Sequence, residues 1–185
     1  MRIIAGKYKS RKLSLPKSSH NGKKAGLPLR PTSDRARETL FDILNNIIDF
    51  KDITCLDLFA GTGALGFEAL SRGASKVSFV DKSKSSIISI NKTAEELGCR
   101  EQITASENDA VLIVKSDSMQ FDLVFADPPY DYENYVVLVE AVLNTKPQLF
   151  VLETSVDNMD VYNVKEYDAE ERYVGAAKFY IFISK

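Results

Sequence analysis

The segment from Ile53 to Arg72 constrains the fold more than any other part of the chain. A short apolar run of strand type, ITCLDLF, is followed by the loop Gly61-Thr62-Gly63-Ala64-Leu65-Gly66, which opens the helix-like run ALGFEALSR. A GxGxxG loop between a strand and a helix is typical of nucleotide-binding α/β folds. Asp81 ends the next apolar run, where a ribose-binding carboxylate stands in such folds. The segment therefore predicts a nucleotide site at the carboxyl edge of a parallel sheet.

The rest of the chain alternates strand-like and helix-like segments and has no internal repeat. After KVSFV come a helix near 84–97, QITASE, a short helix after Asp109, FDLVFA, a helix over 132–144, and QLFVLE. This order predicts the α/β class with a doubly wound, mostly parallel sheet. Two late strands, near 161–167 and 177–183, are expected to pair antiparallel. Only seven residues separate QLFVLE from Val161, so the helix of a full crossover is expected to be missing or minimal.

A helix is also predicted ahead of the glycine loop. Three N-cap residue types, Thr32, Ser33 and Asp34, precede an apolar stripe at helical spacing formed by Ala36, Leu40, Leu44, Ile47 and Ile48. With 185 residues, of which 44% are hydrophobic, the chain suits one compact domain with a small appendage. We expect a basic N-terminal hairpin and loop over residues 1–30 and a single catalytic domain over residues 31–185.

Charge is distributed unevenly along the chain. Residues 1–37 contain eleven lysines and arginines but only one acidic residue, Asp34, whereas the remainder has 13 basic and 25 acidic residues. This separation favours a polyanion-binding arm beside the cleft of an acidic body, although a solvated tail is the simpler alternative. Residues 16–29, rich in Pro, Lys, Ser and Gly, are expected to form a mobile loop. The residues expected to contact nucleic acid are Arg2, Lys7, Lys9, Arg11 and Lys12.

Several classes of protein are disfavoured by composition. No apolar run approaches the length of a membrane span, and the basic start lacks the apolar core and cleavage site of a signal peptide, so we expect a cytoplasmic protein. Cys55 and Cys99 lack metal-ligand spacing, and the single histidine, His20, lies in a polar stretch. The sequence predicts neither a disulfide nor a metal site.

The tetrapeptide Asp127-Pro128-Pro129-Tyr130 follows the predicted strand FDLVFA and carries the chemical hypothesis. Two prolines lack N–H donors and stiffen the backbone, so this edge offers hydrogen-bond acceptors to an NH₂ group. If Asp127 and the Pro128 carbonyl each accept one N–H, the amine nitrogen can pyramidalise toward an incoming carbon. Tyr130 could then stack on a flipped base. By itself, the segment is equally compatible with a turn that ends a strand.

Charge helps to choose between two cofactor classes for the glycine loop. A carboxylate just before the loop, such as Asp57, would tend to repel the pyrophosphate of a dinucleotide. S-adenosylmethionine has no phosphate and carries cationic groups, so it fits Asp57 and Asp127 better. Asp109 could accept from the adenine amine, but it is also a suitable N-cap for the short helix that follows, and both roles can coexist.

Five segments together resemble the RsmD family, the methyltransferases that modify a guanine N2 in small-subunit ribosomal RNA. They are RIIAGKYKSRKL, LRPTSDRARETLFDIL, LDLFAGTGALGFEALSRGA, the strand ending in Asp81, and DPPY. DPPY is shared with DNA adenine methyltransferases, whereas RPTSDR and the basic start point to this family. Asp42 departs from it, since Asn is frequent there, and RYVGAAKFYIF matches only loosely.

The resemblance implies a class I methyltransferase (Rossmann-like) fold, with an antiparallel C-terminal hairpin and an N-terminal β-hairpin arm. It implies roles for the following residues: Asp57, Phe59, Gly61 and Gly63 around the methionine end of S-adenosylmethionine, Thr32 at its carboxylate, Asp81 at the ribose, Asp109 near adenine, Asp127 and Pro128 at the target amine, and Tyr130 against the base.

We therefore expect a monomeric enzyme that methylates the exocyclic N2 of a guanine in 16S ribosomal RNA, either naked or in an assembling small subunit. Three alternatives remain open: a DNA adenine-N6 methyltransferase, an NAD-dependent oxidoreductase, and a non-catalytic RNA-binding factor. The oxidoreductase has only the glycine loop and Asp81 in its favour, and an intact DPPY argues against a pure binding protein.

Overall fold

A computed structural model describes residues 1–16, 34–116, 120–129, 131–154, 166–175 and 177–185. The helices are α1 (Asp34–Leu44), α2 (Ala64–Arg72), α3 (Lys84–Leu97), α4 (Ala110–Ser116) and α5 (Tyr135–Asn144), with a 3₁₀ turn at Arg100–Gln102. The strands are β1 (Thr54–Leu58), β2 (Lys76–Asp81), β3 (Ile103–Glu107), β4 (Leu123–Ala126), β5 (Leu149–Thr154), β6 (Tyr167–Val174) and β7 (Ala177–Ser184).

These strands form one sheet in the order β3-β2-β1-β4-β5-β7-β6. The first five pair in parallel, whereas β7 pairs antiparallel with both β5 and β6. The chain reverses its direction of travel across the sheet between β1 and β4, which is where ligands bind in open α/β sheets. The predicted doubly wound, mostly parallel sheet with an antiparallel C-terminal hairpin is confirmed.

Successive side chains along each strand point to opposite faces of the sheet, so the core consists of two layers. Cys55, Phe125 and Val151 point toward α1, α2 and α3, and they share one hydrophobic cluster with Phe41 of α1 and Phe67 of α2. The intervening residues of the same strands join α4 and α5 in a second cluster. Residues of odd number at the ends of β1, β4 and β5 therefore face the α1–α3 side of the sheet.

The strand that precedes β7 along the chain is β6, at Tyr167–Val174. The strand predicted near 161–167 lies, up to residue 165, outside the described residues, and the sequence did not predict a strand over 168–174. β6 lies at the edge of the sheet, and between its buried ends it carries Asp168, Glu170, Glu171 and Arg172. Charged residues on an edge strand discourage pairing with other chains, but they also remove the apolar signal that identifies a strand. The missing crossover helix was predicted for residues outside the described part of the chain.

The N-terminal segment is fastened along α2 by a buried carboxylate. Glu68 is fully buried, and it accepts hydrogen bonds from the N–H groups of Ile4 (2.7 Å) and Ala5 (3.0 Å) and from Nε of Arg72 (2.9 Å). At Gly6, with φ of +76°, a Cβ would lie 1.8 Å from the carbonyl oxygen of Ser71, so only glycine can occupy this position. Residues 1–13 are therefore packed against the domain.

The helix α2 approaches the sheet unusually closely at Gly66. A Cβ at this position would lie 2.3 Å from Cε1 of Phe79 and 2.8 Å from Cγ1 of Val77, both in β2. The third glycine of the loop thus allows helix and sheet to meet, and the close contact positions the loop at the carboxyl edge.

Gly66→Ala should destabilise the fold. Alanine favours a helix over glycine by about 1 kcal/mol, but overpacking against Phe79 typically costs about 1–3 kcal/mol, and we expect the second effect to prevail. Urea unfolding measures the difference. Phe79→Leu in the Gly66→Ala background should recover part of the loss, whereas additive effects of the two substitutions would contradict the proposed clash.

Candidate active site

The carboxyl edge of the parallel sheet brings together most of the residues that the sequence singled out. Asp57 is the penultimate residue of β1, Asp81 ends β2, Asp109 follows β3, and Asp127 follows β4. Glu153, which the sequence did not single out, lies near the end of β5. Thr32 and Tyr130 lie outside the described residues.

The glycine loop is held by two carboxylates. Asp81 accepts from the N–H of Gly61 at 2.7 Å through Oδ2 and from the N–H of Ser83 at 2.7 Å through Oδ1. Asp57 accepts from the N–H of Gly66, in the first turn of α2, at 2.9 Å. Phe59 adopts φ of +59°, a left-handed conformation that is rare for a large side chain. The loop is thus held in a strained shape before any ligand binds.

Asp57 is a buried carboxylate beside other negative charges. Burial raises its pKa well above the ordinary value, and the charges of Asp127 and Asp81 raise it further, while the Gly66 N–H opposes the shift. A carboxyl group in this position is stabilised by any cation that binds near it, because the cation compensates for the lost hydration. A phosphate would be repelled.

Asp109 is the N-cap of α4, which confirms one of its two predicted roles. Its Oδ1 accepts from the N–H groups of Val111 and Leu112, both at 2.9 Å. Its Oδ2 pairs with Nζ of Lys82 at 2.9 Å, and this hydrogen bond is the largest cause of a lowered pKa at Asp109. The predicted contact with adenine stays a prediction.

Tyr132 is a candidate that the sequence analysis missed. Its ring lies edge-on to Phe59, with centroids 5.2 Å apart, and edge-on to Tyr135 at 5.3 Å. Its N–H donates to the carbonyl of Pro129 at 2.9 Å. Tyr132 thus connects the DPPY turn to the glycine loop with an aromatic surface. A tyrosine two residues after DPPY gave no spacing signal, because the contact with Phe59 is tertiary.

Asp127 stands at the end of β4, where its N–H donates to the carbonyl of Leu58 at 3.4 Å. Desolvation, followed by the neighbouring charge of Glu153, raises the pKa of Asp127 to about 7. Asp127 is nevertheless an exposed residue, so water screens part of this repulsion and the upward shift in solution will be smaller. Pro128 is buried behind it. The pair offers acceptors at an edge that solutes can reach.

Glu153 is the second residue that sequence reasoning missed. In the β4–β5 register Ala126 is the partner of Leu152, so Asp127 and Glu153 are the next residues on adjacent strands. By strand alternation both positions lie on the α1–α3 side of the sheet. Asp127 is exposed, whereas Glu153 is only 8% exposed. A glutamate inside the apolar run LFVLET could have drawn attention, but its nearness to Asp127 depends on strand order.

The basic residues of the arm are spread along α2. Arg2 pairs with Asp34 at the start of α1 at 3.2 Å, and its neighbour Met1 accepts a hydrogen bond at Sδ from the hydroxyl of Thr62 in the glycine loop. Lys7 donates its N–H to Ser71, near the opposite end of α2. Arg11 donates to the carbonyl of Glu96 late in α3. Among the residues predicted to contact nucleic acid, Arg2 and its bridge partner Lys12 therefore lie near the carboxyl edge.

No helix in the described part of the chain is long and apolar enough to cross a membrane. Within the same residues, no group of three or more His, Cys, Asp or Glu side chains is arranged to hold a metal ion.

Asp127→Asn should flatten the pH dependence of folding stability from about pH 4 upward, over a window that closes below about pH 7 because water screens part of the shift. The raised pKa keeps the carboxyl protonated in the folded state over a range where the unfolded chain has ionised, so Asp127 lowers the free energy of unfolding as pH rises through this window. Asparagine removes this titration, and the variant should gain stability relative to the unsubstituted protein as pH rises. Urea unfolding across the window tests this, with the exposed Asp131→Asn as control. A slope unchanged by Asp127→Asn would contradict it.

Comparison with known proteins adds three relatives. Over 135 residues the chain is 41% identical to ribosomal RNA small subunit methyltransferase D of Haemophilus influenzae. The matched segment covers 71% of this chain and 65% of the relative, slightly less than two thirds of the relative's length. It is 31% identical over 173 residues to the Bacillus subtilis protein named "Putative rRNA methyltransferase YlbH", covering 92% and 84% of the two chains. The solved structure titled "Putative methyltransferase yhhF from Escherichia coli" superposes with a TM-score of 0.83 at 27% identity, covering 100% of this chain and 98% of that one.

A family model carries the assignment further than any single relative. The model described as conserved hypothetical protein 95 matches residues 1–183 and thus includes the arm, the glycine loop, the DPPY edge and the C-terminal hairpin. The protein therefore belongs to this family, which is the RsmD family that its motifs predicted.

Proposed function

We propose that this protein transfers a methyl group from S-adenosylmethionine to the exocyclic N2 of a guanine in small-subunit ribosomal RNA. The observation that carries the proposal is the edge at Asp127 and Pro128, which offers hydrogen-bond acceptors and follows β4, the strand directly beside β1 with Asp57 and the glycine loop. The names of the Haemophilus influenzae and Bacillus subtilis relatives support ribosomal RNA as the substrate. We further propose that the enzyme acts as a monomer in the cytoplasm, where assembling small subunits occur.

The residues at the carboxyl edge fit a cationic cofactor. Asp57 and Asp127 disfavour a pyrophosphate but complement the ammonium and sulfonium groups of S-adenosylmethionine. Asp57, Phe59, Gly61 and Gly63 would hold its methionine end, with Thr32 at the carboxylate. Asp81 and Asp109 would lie at the ribose and the adenine, where Tyr132 offers an additional aromatic surface.

The chemistry supplied by bound S-adenosylmethionine is an electrophilic methyl group on sulfur. Asp127 and the Pro128 carbonyl hold the two N2 hydrogens, which orients the nitrogen lone pair toward that carbon. The Asp127 carboxylate would stabilise the positive charge that develops on N2 as this nitrogen accepts the methyl group from sulfur. One proton then leaves to Asp127 or to water. The base would stack on Tyr130, which requires a guanine turned out of its helix.

The part of the arm that carries Lys7, Lys9 and Arg11 would bind RNA away from the chemistry. α2 has nine residues and is therefore about 13 Å long, so Lys7, Lys9 and Arg11 at one end and Asp127 at the carboxyl edge would contact different parts of a folded RNA. Phosphate contacts of this kind hold a substrate in register and carry no sequence information themselves.

Asp127→Ala should lower the rate of methyl transfer by at least about 100-fold, because it removes an acceptor that stabilises the charge formed on nitrogen. Binding of S-adenosylhomocysteine, measured by calorimetry, should persist. The matched control is Asp131→Ala, which removes an exposed carboxylate from the same loop and should leave the rate unchanged. Near-normal methylation by Asp127→Ala, measured with tritiated cofactor and ribosomal RNA from a strain lacking the enzyme, would refute the proposal.

The double substitution Lys9→Ala with Lys12→Ala should weaken RNA binding and reduce the slope of log affinity against log salt by about 1.5, since each lost phosphate contact removes about 0.7–0.9. Both lysines are exposed. Lys115→Ala with Lys146→Ala, two exposed lysines on the α4–α5 side, is the control of equal charge. An equal change of slope in both double variants would show that the arm has no special role.

A further inference from the structure

Lys82 and Asp109 form an ion pair at the carboxyl edge that folding alone does not explain. Nζ of Lys82 lies 2.9 Å from Oδ2 of Asp109, and the side chain of Lys82 is 70% exposed. An ion pair that water reaches so freely contributes little to the free energy of folding. The proposed mechanism makes no use of Lys82.

The backbone on either side of this pair is held by hydrogen bonds. The Asp81 carboxylate accepts from the N–H of Ser83 at 2.7 Å, so Lys82 lies at the centre of a closed turn. The carbonyl of Asp81 accepts from the N–H of Asn108 at 3.1 Å, which joins this turn to the residue before Asp109. Because Oδ1 of Asp109 accepts two N–H groups of α4, Oδ2 is the oxygen that meets the ammonium.

The topology places the base of a bound nucleoside beside this pair. The glycine loop follows β1, and Asp81, proposed to lie at the ribose, ends β2. β3 is the next strand outward and forms the edge of the sheet. A nucleoside that has one end at the glycine loop and its ribose at Asp81 therefore extends its base toward Asp109 and Lys82.

Tyr132 borders the same space. Burial, followed by the charge of Asp109, raises the pKa of Tyr132, and the charge of Lys82 opposes this shift, so its hydroxyl lies near both groups. The centroid of its ring is 5.2 Å from that of Phe59, which precedes the glycine loop. An aromatic surface and a charged pair thus meet at one place, as the binding of a flat heterocycle with polar edges requires.

An ammonium beside a carboxylate matches one edge of adenine, which presents the acceptor N1 next to the amine at C6. The ammonium has three N–H donors, so Lys82 can keep its bond to Asp109 while it donates to N1. Oδ2 of Asp109 has two lone pairs and can accept from the amine as well. The hydrogen bond between them raises the pKa of Lys82 and lowers that of Asp109, so both groups stay charged at neutral pH.

Several backbone donors near Asp109 are already in use. The N–H groups of Asn108 and Asp109 have acceptors, and those of Val111 and Leu112 donate to the Asp109 carboxylate. This favours a side-chain donor for N1, and Lys82 lies in position to supply it.

We propose that Lys82 donates a hydrogen bond to N1 of the cofactor's adenine while Asp109 accepts one from the amine at C6. The inference rests on the proposed function, since S-adenosylmethionine supplies the adenine, and it extends that function by naming a residue that selects the cofactor. Lys82 is a specificity-determining residue in this scheme and takes no part in methyl transfer.

The test compares S-adenosylhomocysteine with its 1-deaza analogue, in which a C–H group replaces N1 and the amine is kept. Calorimetry measures both affinities, and no RNA is needed. The unsubstituted protein should bind the analogue roughly 10-fold more weakly, as expected for the loss of one hydrogen bond to a charged group. Lys82→Met removes the donor, so it should bind S-adenosylhomocysteine roughly 10-fold more weakly and should bind the two compounds equally.

Controls separate this contact from general effects of charge or folding. Lys84→Met, at another exposed lysine, should keep the full preference for S-adenosylhomocysteine. Lys82→Arg should keep part of it, because a guanidinium also donates. A lysine that acted only through charge or folding would change both affinities by the same factor, so the ratio of the two affinities isolates the contact with N1.

Failure of the inference and failure of the proposed function give different results. If the unsubstituted protein does not bind S-adenosylhomocysteine, the proposed cofactor is wrong, and the proposed function with it. If it binds both compounds equally, or if Lys82→Met keeps the full preference, the function stands and the role of Lys82 is refuted. The first of these two comparisons needs no variant, so it decides the matter even if Lys82→Met fails to fold.

Discussion

The hydrogen bond between Asp57 and the N–H of Gly66 is the contact on which the carboxyl edge depends. It joins the end of β1 to the first turn of α2 at 2.9 Å, across a point where helix and sheet are too close for any side chain larger than hydrogen at position 66. Because the helix is fixed at its first turn, the five residues between β1 and α2 must form a tight loop. That loop brings Phe59 and Gly61 to the surface where a ligand can meet them.

The same edge brings several carboxylates together. Asp57, Asp81 and Asp127 lie at the ends of three neighbouring strands, and the pKa of Asp57 rises because its carboxyl group is buried and has other negative charges near it. Such an arrangement lowers the stability of the empty protein and increases the free energy gained when a cation binds. A site that must hold a sulfonium and an ammonium, and then receive hydrogen-bond donors from a base, fits this description.

The attachment of the N-terminal segment to α2 keeps Lys7, Lys9 and Arg11 away from the acidic carboxyl edge. Glu68 and Ser71 bind the backbone of residues 4–8, so the chain follows α2 away from the carboxyl edge before it presents Lys7, Lys9 and Arg11. If these basic residues lay beside the acidic edge, they would pair with its carboxylates and compete with the proposed cofactor. Lys7, Lys9 and Arg11 are thus held away from the acidic edge, which fits the proposed division between phosphate contacts and chemistry.

The sequence alone determined the order of the elements, the glycine loop, the acceptor edge at Asp127 and the N-cap at Asp109, because each depends on residues close together in the chain. It did not predict β6 over residues 168–174, since an edge strand covered with charged residues has no apolar alternation, and it gave no sign that Ile3, Tyr8 and Leu13 enter the core. Only the tertiary structure decided that Glu153 lies beside Asp127 and that Tyr132 reaches Phe59. These neighbours are set by strand order and by helix packing, which bring distant residues together, and no local pattern encodes them.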